Sequence, residues 1–466
     1  MKHIIWMAVI ALTATTWSAC SNEDEPTAAE QPAQSRTYTV TTTLSPRNGA
    51  ATRSTMTDNG DGSINAEWQV NDQIYVRYIN TSNEYVTATA EVTAVNSTTK
   101  AATITVSLTD PKNSSTIFFG YPLSHYAGTK HVETDQLGTL ADINANHASI
   151  YGSGELTVDG SNVTLPAVAM DPEMCIWKFT FTDGSSDITS AITKLVIDFP
   201  GTNQTYTVTP SSQSNIYVAM YGVNAMPINI YAKTATGVYR KSAASVTLTP
   251  GTTYTTTGLA LSSAVAANAV AGDLGKVIGA DGNIYLKADI ATAIGTTARA
   301  MITYVGNSSG ESSPYNHGLA LALSDANDGN KCKWCIWKID AGHTKQNSSS
   351  FTIESGLQYN DATHNIDSYP AFKTAMANNG IAAPTGCSAW FLPTGYQWNQ
   401  MLSAVGGYQA LRTGFTNVGG TNMQTNYYWV SSEGGSERTW CYALINGEWL
   451  SVSKDGEVYV RSALAF

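Results

Sequence analysis

From residue 37 onward, short runs dense in β-branched and aromatic residues alternate with clusters of turn formers, which restricts the chain to a fold built mainly from short strands. Runs at 37–44, 67–78, 84–92, 102–108 and 115–121 follow one another at hairpin spacing. Asn59-Gly60-Asp61-Gly62, Asn80-Thr81-Ser82-Asn83 and Asp110-Pro111-Lys112-Asn113 punctuate them with residues that accept turn conformations. The same texture returns at 174–181, 192–199, 205–209, 216–220, 228–232 and 245–249, without sustained helical periodicity. This pattern predicts two β-sandwich domains in series, 37–166 and 167–263. An Ala-rich stretch at 264–271, ending in Gly272, marks the next boundary. Beyond it, helix formers at 287–293, Pro370 opening 370–378 and apolar residues at helical spacing in 396–405 predict an α+β unit over 264–466.

The amino terminus reads differently. Lys2 and His3 precede an apolar run at 4–12, and small residues at Ser18 and Ala19 precede Cys20. This is the layout of a secretory signal peptide over 1–19, with Cys20 as the residue that receives lipid, although Trp17 replaces the Leu usual there. No other stretch approaches the roughly 20 apolar residues of a spanning helix. Residues 20–36 start with the acidic Ser21-Asn22-Glu23-Asp24-Glu25, continue rich in Ala, Pro, Gln and Glu, and read as a tether. An acidic run after a lipidated cysteine resembles the signal that sends bacterial lipoproteins to the outer face of the outer membrane.

Charged residues make up 13% of the chain, net charge is −11, and no basic cluster occurs, so nucleic acid is excluded as a partner on electrostatic grounds. With Cys20 assigned to lipid and Cys175 isolated, Cys332, Cys335, Cys387 and Cys441 remain in the last third. In an oxidising compartment they can form disulfides whose connectivity spacing does not reveal. A zinc site from these four lacks the second close pair that structural zinc sites use. Asp325-Ala326-Asn327-Asp328-Gly329-Asn330 has oxygen ligands without EF-hand spacing and reads as an acidic turn. The 7 His residues are scattered, and neither a Gly-x-Ser-x-Gly elbow nor a P-loop is present. No catalytic residue, metal or cofactor is expected.

Ala51-Thr52-Arg53-Ser54, Trp68, Asp72, Ile74-Tyr75-Val76, Phe118-Phe119-Gly120-Tyr121-Pro122, Asp135-Gln136 and the closing Pro250-Gly251-Thr252-Thr253-Tyr254 occur in that order. Together they resemble the landmarks of fimbrillins, the pilins of outer-membrane pili assembled by protease-triggered strand exchange, over roughly 37–262. The resemblance implies that cleavage after Arg53, or alternatively Arg47, frees the strand 37–44, and that other pilus subunits donate a strand to the emptied groove.

A second series runs through Asp273-Leu274-Gly275, His317-Gly318-Leu319, Trp390-Phe391-Leu392-Pro393-Thr394, Tyr428-Trp429-Val430-Ser431-Ser432-Glu433 and Val460-Arg461. It resembles the C-type-lectin-like fold of bacterial surface proteins. The implied class is mainly β: two tandem fimbrillin-like sandwiches followed by an α+β C-type-lectin-like domain. The Glu-Pro-Asn and Gln-Pro-Asp triplets of calcium-dependent lectins are absent. Formylglycine-making oxidases share this fold class and use a cysteine pair, but their surrounding signature is not visible. Trp390 and Trp429 fall in the fold's own pattern and belong in the core, whereas Trp449, in a loop-like stretch, is the candidate contact for a host glycan or protein ligand. The combined expectation is a pilus tip adhesin on the outer membrane; its rival is a surface glycan-binding lipoprotein that never polymerises.

Overall fold

The computed structural model describes residues 35–46, 55–61, 64–361 and 363–466, and the chain is mainly β. The expected signal peptide 1–19, Cys20, most of the expected tether, Arg47 and Arg53 lie outside the described residues.

The first unit contains β1 (Thr37–Pro46), β2 (Thr55–Asp58), β3 (Ile64–Glu67), β4 (Gln73–Ile79), β5 (Tyr85–Val95), β6 (Ala102–Thr109), β7 (Ser115–Tyr121), β8 (Ile150–Asp159), β9 (Asn162–Thr164) and β10 (Val168–Pro172). Period-2 alternation sets its faces: β6 buries Ala102, Ile104, Val106 and Leu108, and β4 buries Ile74, Val76 and Tyr78. The turns form where Asn and Asp tolerate positive φ, at Asn83 and Asp110. The sheet runs β10-β1-β6-β5-β4-β7-β8-β9, and β10 also pairs with β8, so the sheet folds over and closes around one core. Closure depends on Gly152 in β8, where a Cβ would lie 2.5 Å from the Ala169 carbonyl of β10. The expected boundary at 166/167 therefore falls before the strand that completes the first unit. Chain proximity at Gly152, invisible in local texture, decides this.

Trp68, buried and edge-on to Tyr121 at 5.1 Å, fills this core with Phe119 and Leu44. Between β7 and β8 lie the short helices α1 (Leu123–Tyr126) and α2 (Leu140–Asp142).

The second unit comprises β11 (Met174–Thr182), β12 (Lys194–Asp198), β13 (Thr205–Val208), β14 (Ile216–Tyr221), β15 (Val223–Lys233), β16 (Val238–Leu248), β17 (Thr253–Ala260) and β18 (Ser262–Ser263). Sheets β14-β11-β17 and β13-β12-β15-β16-β18 enclose Phe179, Phe181, Ile197, Tyr206 and Val218. Gln136, buried in the segment between β7 and β8, reaches across. Its amide donates to the Ala219 carbonyl and accepts from the Ala219 N–H, both at 2.8 Å, which gives the Asp135-Gln136 landmark a structural role.

The last third is α+β: β19 (Val277–Gly279), β20 (Ile284–Tyr285), α3 (Ala288–Ile294), β21 (Ala298–Val305), β22 (Gly318–Ala322), β23 (Cys332–Lys333), α4 (Pro370–Ala377), α5 (Gly395–Val405), α6 (Tyr408–Asn417), β24 (Tyr427–Glu433), β25 (Arg438–Ala443), β26 (Glu448–Ser453), β27 (Glu457–Val458) and β28 (Ala463–Ala465). Thr394 and Gln397 form a capping box that starts α5 at the expected place. Helix α6 carries little local signal, because Thr and Gly dilute it; Leu411 and Phe415, one turn apart, fix it to the core. Val196, Tyr231 and Val238 of the second unit share a buried cluster with Ile290, Phe391 and Trp398. Arg240 of β16 grips Asp273 through two bonds of 2.6 and 2.7 Å. Among the described residues no helix is long and apolar enough to cross a membrane.

Candidate functional site

Strand β1 is interior. Its residues 37–44 pair antiparallel with β6, from Thr37↔Thr109 to Leu44↔Ala102, while Leu44, Ser45 and Pro46 pair parallel with β10. Val40, Thr42 and Leu44 point into the core, and Thr37, Thr39 and Thr41 point out. Thr42 also donates to the Pro166 carbonyl at 2.7 Å. Removing this one strand would expose two unpaired edges and an apolar slot between them.

The chain beyond it is held elsewhere. The β2–β3 hairpin packs Met56 and Ile64 against Ile176, Ala219 and Tyr217, and Asp58 accepts from Lys178 at 2.5 Å and Tyr217 at 2.6 Å. The Lys178 bond, helped by Tyr217 and the Gly60 N–H, outweighs desolvation and holds the Asp58 carboxyl at about 2. Arg47 and Arg53 stand in sequence between β1 and this anchored hairpin.

A second site lies in the last third, where the irregular chain between β23 and α4 forms an open cleft lined by Gly310, His343, Glu354, Tyr359, Asp361 and His364. Its floor is organised by Glu433, fully buried, which accepts from the N–H groups of Ala341 and His343 at 3.0 and 3.1 Å and pairs with Lys345 and the buried Lys454. Glu354 accepts from the Tyr359 hydroxyl at 2.8 Å and Ser432 at 3.1 Å. The rings of His343 and Tyr359 stack at 3.5 Å. His343 Nδ1–H donates to the Ser431 carbonyl at 3.0 Å, and His364 Nδ1–H donates to Asp361 at 2.9 Å. Burial pushes the His343 imidazole down to about 4, against the opposing pull of the Ser431 carbonyl and Glu433, so it stays neutral at physiological pH. Ile353 on the rim and Trp337 in the same irregular stretch are 71% and 72% exposed.

Several expected site residues fare differently. Trp390 and Trp429 are core, as expected. Trp449 lies in β26, not in a loop, where its indole packs edge-on against Phe351 and Tyr442 at 4.6 and 4.9 Å and donates to Asn399. It is half-buried packing, because hairpin pairing with β25 sets its face. Among the described residues no disulfide forms: Cys332, Cys335, Cys387 and Cys441 are free thiols. The fold separates them, since Cys387 packs in the Trp390 cluster while the others pack around Trp334. Burial pushes the Cys332, Cys387 and Cys441 thiols up to about 12, away from the reactive thiolate. The 325–330 segment is a turn; Asp325 is buried within 2.9 Å of Arg461, at an angle too poor for a hydrogen bond, and accepts from Tyr428 at 2.9 Å. The sequence does not signal the meeting of His343 and His364, because their chain positions carry no recognisable ligand spacing; Asp361, three residues before His364, is the local signal.

No protein-family model matches the chain, and no curated protein matches it. Among solved structures it is similar to a provisionally assigned cell adhesion protein from Bacteroides uniformis, at 12% identity and TM-score 0.29, covering 48% of this chain and 96% of that one. A second provisionally assigned cell adhesion protein, from Bacteroides eggerthii, gives 11% identity and TM-score 0.27, covering 47% and 86%. The major pilin of Streptococcus pyogenes gives 8% identity and TM-score 0.13, covering 48% and 98%. Likeness at this level identifies neither a family nor a function.

Proposed function

We propose that this chain is a surface pilus subunit, lipid-anchored at Cys20 in the outer membrane, that accepts a neighbour's strand after losing β1 and presents its last third, read as C-type-lectin-like, to a host glycan or protein. The placement of β1 carries this reading: it is an interior strand paired on both edges, joined by the Arg47 and Arg53 segment to a hairpin held on another unit. A cut at either arginine severs the covalent link between β1 and the downstream chain, so only non-covalent contacts retain it: strand pairing, the inward Tyr38, Val40, Thr42 and Leu44, and the bonds of Ser35 and Arg36 to Asp110. Residues 457–466 are engaged within the last third: β27 pairs with β23, β28 pairs with β22, and Phe466 is buried. Strands committed in this way are not free to be donated.

The test is to treat the full chain with an arginine-specific protease and add excess biotinylated peptide 35–46 as a surrogate donor. Sequencing is expected to give a new terminus at Ser54 or Asn48, with the peptide retained by the cut protein and not by the uncut one. A folded, cut protein that takes up no peptide overturns strand exchange. Mature surface protein that uniformly starts at acylated Cys20 supports the non-polymerising lipoprotein instead.

A further inference from the structure

The two cleft histidines meet through their remaining nitrogens. His343 Nε2 and His364 Nε2 stand 3.2 Å apart, with both residues buried and lining the open cleft. Their tautomers follow from their partners. The Ser431 carbonyl can only accept, so His343 Nδ1 carries its proton. The Asp361 carboxylate accepts in the same way from His364 Nδ1 and also receives the backbone N–H groups of Thr363 and His364. With these two Nδ1–H bonds in place, both Nε2 atoms are the nitrogens left to share a proton or a cation between the rings.

The spacing meets the criteria of a hydrogen bond and also fits a metal ion held between the two nitrogens. With bonds of about 2.0–2.1 Å to one zinc ion, nitrogens at this separation subtend about 100°, near the tetrahedral angle. Ring centroids would then lie about 5.0 Å apart; a straight N–H···N bond at the same nitrogen separation would put them about 5.5 Å apart and a bent one somewhat less. The observed centroid distance is 5.1 Å, with the rings inclined by 51°. The outer contacts match as well, since metal-binding imidazoles ordinarily donate their second N–H to a carboxylate or a backbone carbonyl.

We propose that His343 and His364 form a two-histidine site for a borderline divalent cation such as Zn²⁺, with its other coordination positions open to the cleft. Among the described residues no three His, Cys, Asp or Glu side chains converge on a metal, and Glu354 is engaged by Tyr359 and Ser432. Water, or an oxygen of whatever the cleft receives, completes the shell. Asp361 acts as a positioning residue, holding His364 in the ligating tautomer.

Titration of the metal-stripped full chain with Zn²⁺ alone, followed by competition with a chromophoric chelator, tests the site. Uptake of one equivalent is expected, and substitution by Co²⁺ should give the visible bands of a tetrahedral ion. His364→Asn should abolish uptake. Asp361→Asn, which alters a half-exposed side chain and should leave folding intact by circular dichroism, should weaken binding by about tenfold or more. Absence of stoichiometric uptake by the folded protein, or uptake unchanged in both variants, overturns the proposal. Neither readout depends on the fate of β1.

Discussion

Glu433 concentrates the chemistry of the last third in one side chain. It is fully buried, yet two backbone N–H groups and two lysines satisfy it, and one of those lysines, Lys454, is itself fully buried. Burying a charge is tolerable only when each partner compensates the other, and removing one partner typically costs about 3–5 kcal/mol because the other stays buried and unpaired. Glu433→Gln is therefore expected to destabilise the protein by about that amount in denaturant titrations followed by tryptophan fluorescence. Because the same carboxylate holds the N–H groups of Ala341 and His343, the substitution should also loosen the cleft. Lys454→Met in the same background should recover part of the loss by removing the orphaned cation.

At the level of elements, β1 is the informative case. Its texture, 37–44, was legible as a strand, and its inward residues follow from the period of two. Its position between β6 and β10 was not legible, because β10 is distant in sequence and parallel to it. Leu44 sits where both pairings meet and is fully buried, so Leu44→Ala should cost about 2–4 kcal/mol through lost contact and a residual cavity. If β1 is the exchangeable strand, a peptide 35–46 carrying this change should compete more weakly for the cut protein than the unaltered peptide, in the same capture assay. The helices divide in the same manner. Capping signals placed α5, whereas α6, with a weak local signal, exists because Leu411 and Phe415 find a core.

Across the whole molecule, two carboxylates tie neighbouring units together. Asp58 links the first unit's hairpin to Lys178 and Tyr217 of the second. Asp273 links the last third to Arg240, with Lys276 alongside. Burial alone would raise the Asp273 carboxyl, but the bonds from Arg240, Lys276 and the Val270 N–H outweigh it and hold it at about 2. Both groups lie below their ordinary value of 3.8, so the unfolded chain binds protons more readily than the folded one. Each contribution, about 2 kcal/mol, is complete above roughly pH 4 and is lost as pH falls towards 2. Denaturant titrations from pH 6 to pH 2 should show the decline confined to the acid limb, and Asp273→Asn should flatten part of it.

The amino-acid sequence by itself determined what depends on neighbours along the chain: the strand texture, the turns at Asn83 and Asp110, the burial of Trp390 and Trp429, and the capped start of α5. Pairing, closure and the approach of distant side chains were decided only in three dimensions. Gly152 admits β10, β26 draws Trp449 into packing, the cores separate Cys387 from the other cysteines of the last third, and two loop positions bring His343 and His364 together. The physical reason is range. Turn chemistry and residue alternation act over a few bonds, whereas ring closure and a shared ligand position depend on contacts between segments tens of residues apart, for which no local pattern codes.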